Sequence, residues 1–377
     1  MNDRAPLVAL AFLLLESCAP PSRLAEQASD TSSGRIVASP SARSRAKLKV
    51  LVQYDMEGLS GQSDWRTQEY RFSMVAGDLY DLVAQEQLKP IDPAVWAMGQ
   101  DLLVGDVNAV VEGLFAGGAD SVDVLDAHGS GNPEVDLPPD RLDPRARHLP
   151  VGAREALIRP GSYDAVVLVA QHIGSGGRGF LSHTGNAGTR VVYNGAEVTE
   201  TDMTAYAWGE VGIPVVFVSG DDRLGEDVKA KMPWAHYVAV KRALGPMSAE
   251  LRPLEEARGD LRKGAELALR DPASWRVVRL ASPIAAQICA VSPASLDKLS
   301  GVPGIDYRDG CISFVAPDHG ALSRGTGALL DLAGLLGYHP ILLETVVAEP
   351  NGVAILDRSN ENGARHWEAS ESKAWKR

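Results

Sequence analysis

Two carboxylates stand two residues apart at the end of an apolar run. In LKVLVQYDMEGLSG, Leu48 to Gly61, the strand-like segment gives way to Asp55 and Glu57, and then to Gly58. Alternate residues of an extended chain share a face, so both side chains point the same way. Two more apolar runs end similarly. SVDVLDAHGSG delivers Asp126 and His128, and YDAVVLVAQHIGSGGRG delivers Gln171 and His172. If these strands lie parallel in one sheet, their C-terminal ends share the edge where open α/β sheets place ligands. Asp55, Glu57, His128 and His172 then converge, and Glu200, opening a helix soon after, adds an oxygen. Imidazole nitrogens and carboxylate oxygens at this density suit zinc or a similar divalent ion. Five ligands exceed the need of one tetrahedral ion. A carboxylate bridging two ions about 3.5–4 Å apart uses them all. Taken singly, each residue has a plainer reading as a helix cap, a solvated charge or a hydrogen-bonded histidine. Their coincidence at equivalent strand ends favours the metal.

The elements that must position these residues follow from periodicity. DLLVGDVNAVVEGLFAGGA, from Asp101, has helical spacing and stops at Gly117-Gly118. TETDMTAYAWGEVG reads as a helix and IPVVFVSGDDR as a strand. This alternation predicts an α/β fold, a largely parallel sheet flanked by helices, over residues 47–240. Residues 62–98 read as an insertion. A helix at 252–270, strands at 277–291 and 311–317 and a helix at 321–336 predict a second, smaller α+β domain over 241–347. A polar tail follows from 348 to 377. Cys289 and Cys311 fall in the two late strands, either as a pair or as buried thiols.

The N-terminus differs in kind. Arg4, an apolar run from Pro6 to Leu15 and then Cys18 have the proportions of an export signal over residues 1–18. Leu15-Glu16-Ser17-Cys18 resembles a bacterial lipoprotein box, apart from Glu16, so membrane attachment through Cys18 is expected beside plain export to the periplasm. Residues 19–46, rich in Ser, Ala, Arg and Pro, read as a disordered linker. A formal charge of −12 leaves no basic excess for a phosphate backbone, which argues against a nucleic-acid partner. No GxSxG elbow or HExxH helix is present, so serine-hydrolase and thermolysin-like chemistry find no support. The loop GSGGRG, Gly174 to Gly179, lacks the Walker spacing and reads as a flexible wall of the site. Asp221-Asp222-Arg223, at another strand end, suits either a substrate contact or a turn with a surface ion pair.

The segments YDMEGLSG, DAHGS, VAQHIGSG, GFLSHT, VTETDMTAYAWGEVGIPVVFVSGDDR and AVK, in that order, resemble the DppA-type zinc D-aminopeptidases, roughly over residues 47–340. The resemblance implies two Zn2+ per chain, held by Asp55, Glu57, His128, His172 and Glu200, with Asp55 as the bridge. It implies that His183 of LSHT is a catalytic group. It also implies a self-compartmentalising homo-oligomer that hydrolyses the N-terminal residue of short peptides, D-amino-acid-containing ones, with a metal-activated water. Asp126 either orients a ligand imidazole or caps its loop. The chain departs from the family in its longer 62–98 segment, in Gln171 where an aromatic residue is common, and in RALGPMSAE after Lys241, where the family has an arginine a few residues on. These departures leave substrate identity and ring assembly open. An exported, non-catalytic binder of peptides or wall fragments and an amidase on another small amide are the alternatives.

Overall fold

The computed structural model describes residues 34–39, 47–67, 90, 92–129, 135–150 and 153–374. In chain order the strands are β1 (Arg35–Ala38), β2 (Lys49–Tyr54), β3 (Ser121–Asp126), β4 (Ala146–His148), β5 (Ala165–Gln171), β6 (Thr189–Tyr193), β7 (Ala196–Val198), β8 (Val215–Asp221), β9 (His236–Gly245), β10 (Ser248–Leu251), β11 (Arg276–Arg279), β12 (Ile284–Ala290), β13 (Asp306–Arg308) and β14 (Cys311–Ala316). The helices that matter here are α1 (Pro93–Ala116), α2 (Glu200–Glu210), α3 (Asp222–Lys231), α4 (Leu254–Ala268), α5 (His319–Ala348) and α6 (Gly352–Ala374).

The main sheet runs β10-β9-β8-β5-β2-β3-β4. All its pairs are parallel except β9 with β10. From β2 the chain goes out to β3 and β4 on one side, then returns to β5, β8 and β9 on the other. The order therefore reverses between β2 and β5, and their C-terminal ends border the crevice such a reversal leaves. The fully buried alternation of β2 explains its central place. Val50, Val52 and Tyr54 face a core shared with Leu103, Val107 and Leu114 of α1 and Leu261 and Ala265 of α4. Leu51 faces the opposite core, shared with Ala205 and Trp208 of α2 and Leu224 and Val228 of α3. Gln53 lies on that second face, where its Oε1 accepts from Trp208 Nε1 at 2.8 Å. That bond ties α2 to the central strand.

A second sheet, β13-β14-β12-β6-β7, is antiparallel throughout. It packs its Tyr193, Ile284, Ile288 and Ile312 into the second core. The chain does not divide between the two sheets at residue 240. β10 and α4 stay with the parallel sheet, while β6 and β7 cross to the antiparallel one. The reason is local. After β5 the chain makes a short hairpin whose inner strand, β6, finds its partner in β12, leaving β7 at the edge.

Several boundaries differ from the sequence expectation. α1 begins at Pro93, eight residues ahead of the Asp101 start read from periodicity, with Asp92 Oδ1 accepting from Ala94 N and Val95 N. Asp before Pro is the N-cap and first-turn pair that starts helices. The helix expected at 321–336 runs on to Ala348 through Pro340, and the polar tail from 348 forms helix α6 up to Ala374. The single strand expected at 277–291 is two, β11 and β12. Inside the expected linker, Arg35–Ala38 pairs antiparallel with β11, so that stretch is ordered by an edge strand. Cys289 and Cys311 are direct cross-strand partners and form a disulfide. The export signal at 1–18, most of the 19–46 linker and residues 68–89 of the 62–98 segment lie outside the described residues.

Candidate metal centre

At the C-terminal end of β2, Asp55 and Glu57 are only 3 % and 2 % exposed. Two buried carboxylates side by side are costly unless cations or donors compensate them. Burial first and the neighbouring Glu57 second hold the Asp55 carboxyl well above its ordinary range. Burial also acts to raise Glu57, but His128, His172 and His183 outweigh it and hold Glu57 below its ordinary value.

The three imidazoles are arranged alike. His128 Nδ1 lies 2.8 Å from Asp136 Oδ2, His172 Nδ1 lies 3.0 Å from the Ile173 carbonyl, and His183 Nδ1 lies 2.8 Å from the Leu181 carbonyl. A carbonyl only accepts, so in the latter two rings Nδ1 carries the hydrogen and a neutral ring keeps its lone pair on Nε2. Each Nε2 faces carboxylates. For His128 the partner is Glu57 Oε1 at 3.7 Å. His172 faces Asp55 Oδ2 and Glu200 Oε1, both at 3.7 Å. His183 faces Glu57 Oε1 and Glu200 Oε1, both at 3.8 Å. The rings of His172 and His183 stack with centroids 4.1 Å apart.

All six residues singled out in the sequence therefore meet. Ligand atoms of Asp55, Glu57 and His128 lie within 4.8 Å of one another, and so do those of Asp55, His172 and Glu200. Asp55 belongs to both sets, which is the position a bridging carboxylate needs. A third set joins Glu57, His172 and His183. His183 thus stands as close to the donors as the other two imidazoles, a placement its sequence position did not reveal. Nitrogen lone pairs and carboxylate oxygens in this arrangement fit a borderline divalent ion such as zinc.

Backbone devices hold the cluster. The pairing of β5 with β8 shifts register between Leu168 and Gln171, and Ala170 there has φ +60°. A non-glycine residue in that region is strained by roughly 1–2 kcal/mol. The bulge sets the exit of β5 just before His172. Gly58 N donates to the Ala170 carbonyl at 2.7 Å, bringing the two chain exits together. A Cβ on Gly58 would lie 2.2 Å from the Gln171 carbonyl oxygen, so only glycine fits. Thr199 and Asp202 form a capping box at the start of α2, with Thr199 Oγ1 accepting from Asp202 N and Asp202 Oδ2 from Thr199 N. The box fixes Glu200, whose Oε1 also accepts from Gly185 N at 2.7 Å and so ties it to the His183 loop.

Other expectations resolve differently. Asp126 Oδ1 accepts from the backbone N–H of His128 and Gly129, so it caps its loop. Asp136, missed in the sequence, takes the imidazole instead. Its loop carries no periodic pattern; an acid next to Leu137 in a proline-rich turn was the only signal. Gln171 is buried, accepts from Thr201 Oγ1 and does not face the donors. Asp221 caps α3 and accepts from Phe180 N, and Asp222 accepts from Ala243 N. Lys241 closes the AVK segment. It is buried, with its Nζ donating to the Glu57 carbonyl and to Gln62 Oε1 and lying 4.2 Å from the centre of the Phe180 ring. Burial pushes its ammonium down to about 7.

The outer acceptor on His128 supplies a prediction. Asp136→Asn should weaken metal retention by about 10–100-fold against a competing chelator, with the circular dichroism spectrum unchanged. Asp126→Asn should leave metal affinity near that of the unaltered protein. The reverse ranking would mean that Asp126, not Asp136, supports the ligand.

Comparison with known proteins identifies the family and the fold. Residues 48–324 match the D-aminopeptidase family. A D-aminopeptidase of Bacillus subtilis (strain 168) is 23 % identical over 216 residues, covering 56 % of this chain and 70 % of that protein. The solved structure described as the Zn-dependent D-aminopeptidase DppA from Bacillus subtilis, a self-compartmentalizing protease, shares the fold with a TM-score of 0.62 at 19 % identity, covering 76 % of this chain and 98 % of that one. The matched segment opens one residue before β2, carries every residue of the donor cluster and closes inside α5, and on that extent the chain belongs to the D-aminopeptidase family.

Proposed function

We propose that the protein is a zinc-dependent aminopeptidase that releases the N-terminal residue of short peptides, D-amino-acid-containing ones in particular. The observation that carries this reading is the pair of donor sets sharing Asp55. Asp55, Glu57 and His128 would hold one ion, and Asp55, His172 and Glu200 the other. When bound, zinc supplies Lewis acidity toward a carbonyl oxygen and brings the pKa of a water from 15.7 to about 7.

The chain's own residues do the rest. Side chains of Asp55, Glu57 and His172 are almost completely enclosed, whereas those of His183 and Glu200 are 23 % and 28 % exposed. The cluster therefore opens on the His183 side, and a peptide reaches it there. His183 Nε2 lies 3.8 Å from Glu57 Oε1 and Glu200 Oε1, and its Nδ1–H is held by the Leu181 carbonyl, which fixes the tautomer. Nε2 is thus the atom that takes a proton and passes it to the leaving amine. The enclosed walls keep bulk water from competing for the carboxylates. The His183→Ala variant should retain metal and lose at least about 100-fold in kcat on alanyl dipeptides. Matched dipeptides beginning with D-Ala and L-Ala separate the substrate readings. Metal-loaded protein that cleaves neither would favour an amidase on another small amide or a metal-dependent binder.

We further propose that the protein is exported, to the periplasm or to a membrane as a lipoprotein, and that it forms a homo-oligomer. The Cys289–Cys311 disulfide supports export, because such bonds persist in oxidising compartments. The self-compartmentalizing solved relative supports self-association. Expressed with its own N-terminus, the protein should fractionate with membranes, and Cys18→Ser should release it into the soluble exported fraction. Membrane retention by the Cys18→Ser variant would remove the lipid-anchor reading.

A further inference from the structure

Beside the donor cluster lies a second concavity that none of its six residues lines. It measures about 500 Å³ and is walled by the glycine loop after β5, the β6–β7 hairpin and α3. The two share three stretches of chain. Ile173, Thr184 and Thr199 line the cavity, while His172, His183 and Glu200, their immediate sequence neighbours, belong to the cluster. The volume suits an amino acid or a short peptide.

Two polar atoms on its wall lack hydrogen-bond partners among the described residues. Thr184 is 1 % exposed and its Oγ1 is unsatisfied. Arg223 Nε is buried and donates no hydrogen bond, with the Asp222 carboxylate 3.8 Å away. Buried polar groups are normally paired, and an exception inside a cavity marks a place where a ligand atom can complete the pairing. Three ion pairs surround them: Arg190 with Glu197 at 2.9 Å, Arg223 with Glu226 at 3.6 Å and Lys231 with Asp227 at 3.0 Å. Cations and anions are balanced. A purely anionic ligand would meet three carboxylates, and a purely cationic one three cations. A molecule carrying both charges meets opposite charges at both ends.

We infer that this cavity binds a small zwitterion, an α-amino acid or the end of a short peptide, with its carboxylate on Arg223 and Thr184 and its ammonium toward the acidic side chains. The site goes beyond the proposed hydrolysis and leans on that reading only for the natural source of the ligand, which is either the released amino acid or the peptide itself.

Calorimetric titration of the full chain with alanine tests it. The experiment is run both as purified and after chelator treatment, because amino acids also coordinate metals. The expected result is saturable binding that survives chelation, weakens about tenfold or more in Thr184→Val and in Arg223→Met, and is at least about tenfold weaker for propionate and for ethylamine. Arg223 lies on the protein surface, so its variant reports even if Thr184→Val fails to fold. Displacement of alanine by alanyl-alanine assigns the site to the peptide, and no displacement assigns it to the free amino acid; both support it. No saturable binding, binding abolished by chelation, or binding indifferent to both substitutions would overturn it. Metal content and dipeptide cleavage are untouched by such a failure, so the loss of this site and the loss of the peptidase reading are distinguishable.

Discussion

Everything at this site depends on two carboxylates held without water at the end of the central strand. Burial and the neighbouring Glu57 disfavour the ionised form of Asp55, and Glu57 keeps its charge only because imidazoles surround it. Positive charge must be brought to them. The parallel sheet does this by aligning strand ends, so that the residues just after β3 and β5 arrive as His128 and His172 on either side of β2. A divalent ion satisfies the remaining need better than protons do, because it binds the carboxylates in their ionised form.

The surrounding structure is organised around keeping those groups from relaxing. Gly58 lets the exit of β2 touch the bulge of β5, where a side chain would collide with the Gln171 carbonyl. Asp136, Ile173 and Leu181 hold the outer nitrogens of the imidazoles, so that the inner nitrogens face the acids. Lys241 reaches under the β2 exit from β9 and binds the carbonyl of Glu57. The lysine is isolated from water, and its bonds fix the turn that carries both carboxylates. The capping box at α2 does the same for Glu200 from the far side.

Much of this was legible in the sequence for simple reasons. Continuous apolar runs marked β2, β3 and β5, and chemistry placed directly after a strand inherits the strand's position. That is why Asp55, Glu57, His128 and His172 were found together, and why Glu200, at a helix start, joined them. His183 needed the family resemblance, since its loop has no periodicity. Asp136 was invisible for the same cause, lying in an irregular turn. Asp126 is open in the sequence between an imidazole partner and a loop cap, and its carboxylate is occupied with its own loop N–H groups. Continuation of α5 through Pro340 and the pairing of Arg35–Ala38 with β11 are tertiary choices that local propensity does not encode.

The most direct test of the shared carboxylate is metal content. Purified residues 34–377, loaded with zinc and freed of excess ion, should hold about two zinc per chain by elemental analysis. Asp55→Asn should lose both ions rather than one, because Asp55 belongs to both donor sets. Folded Asp55→Asn protein that keeps both ions, or unaltered folded protein that binds none, would contradict the account.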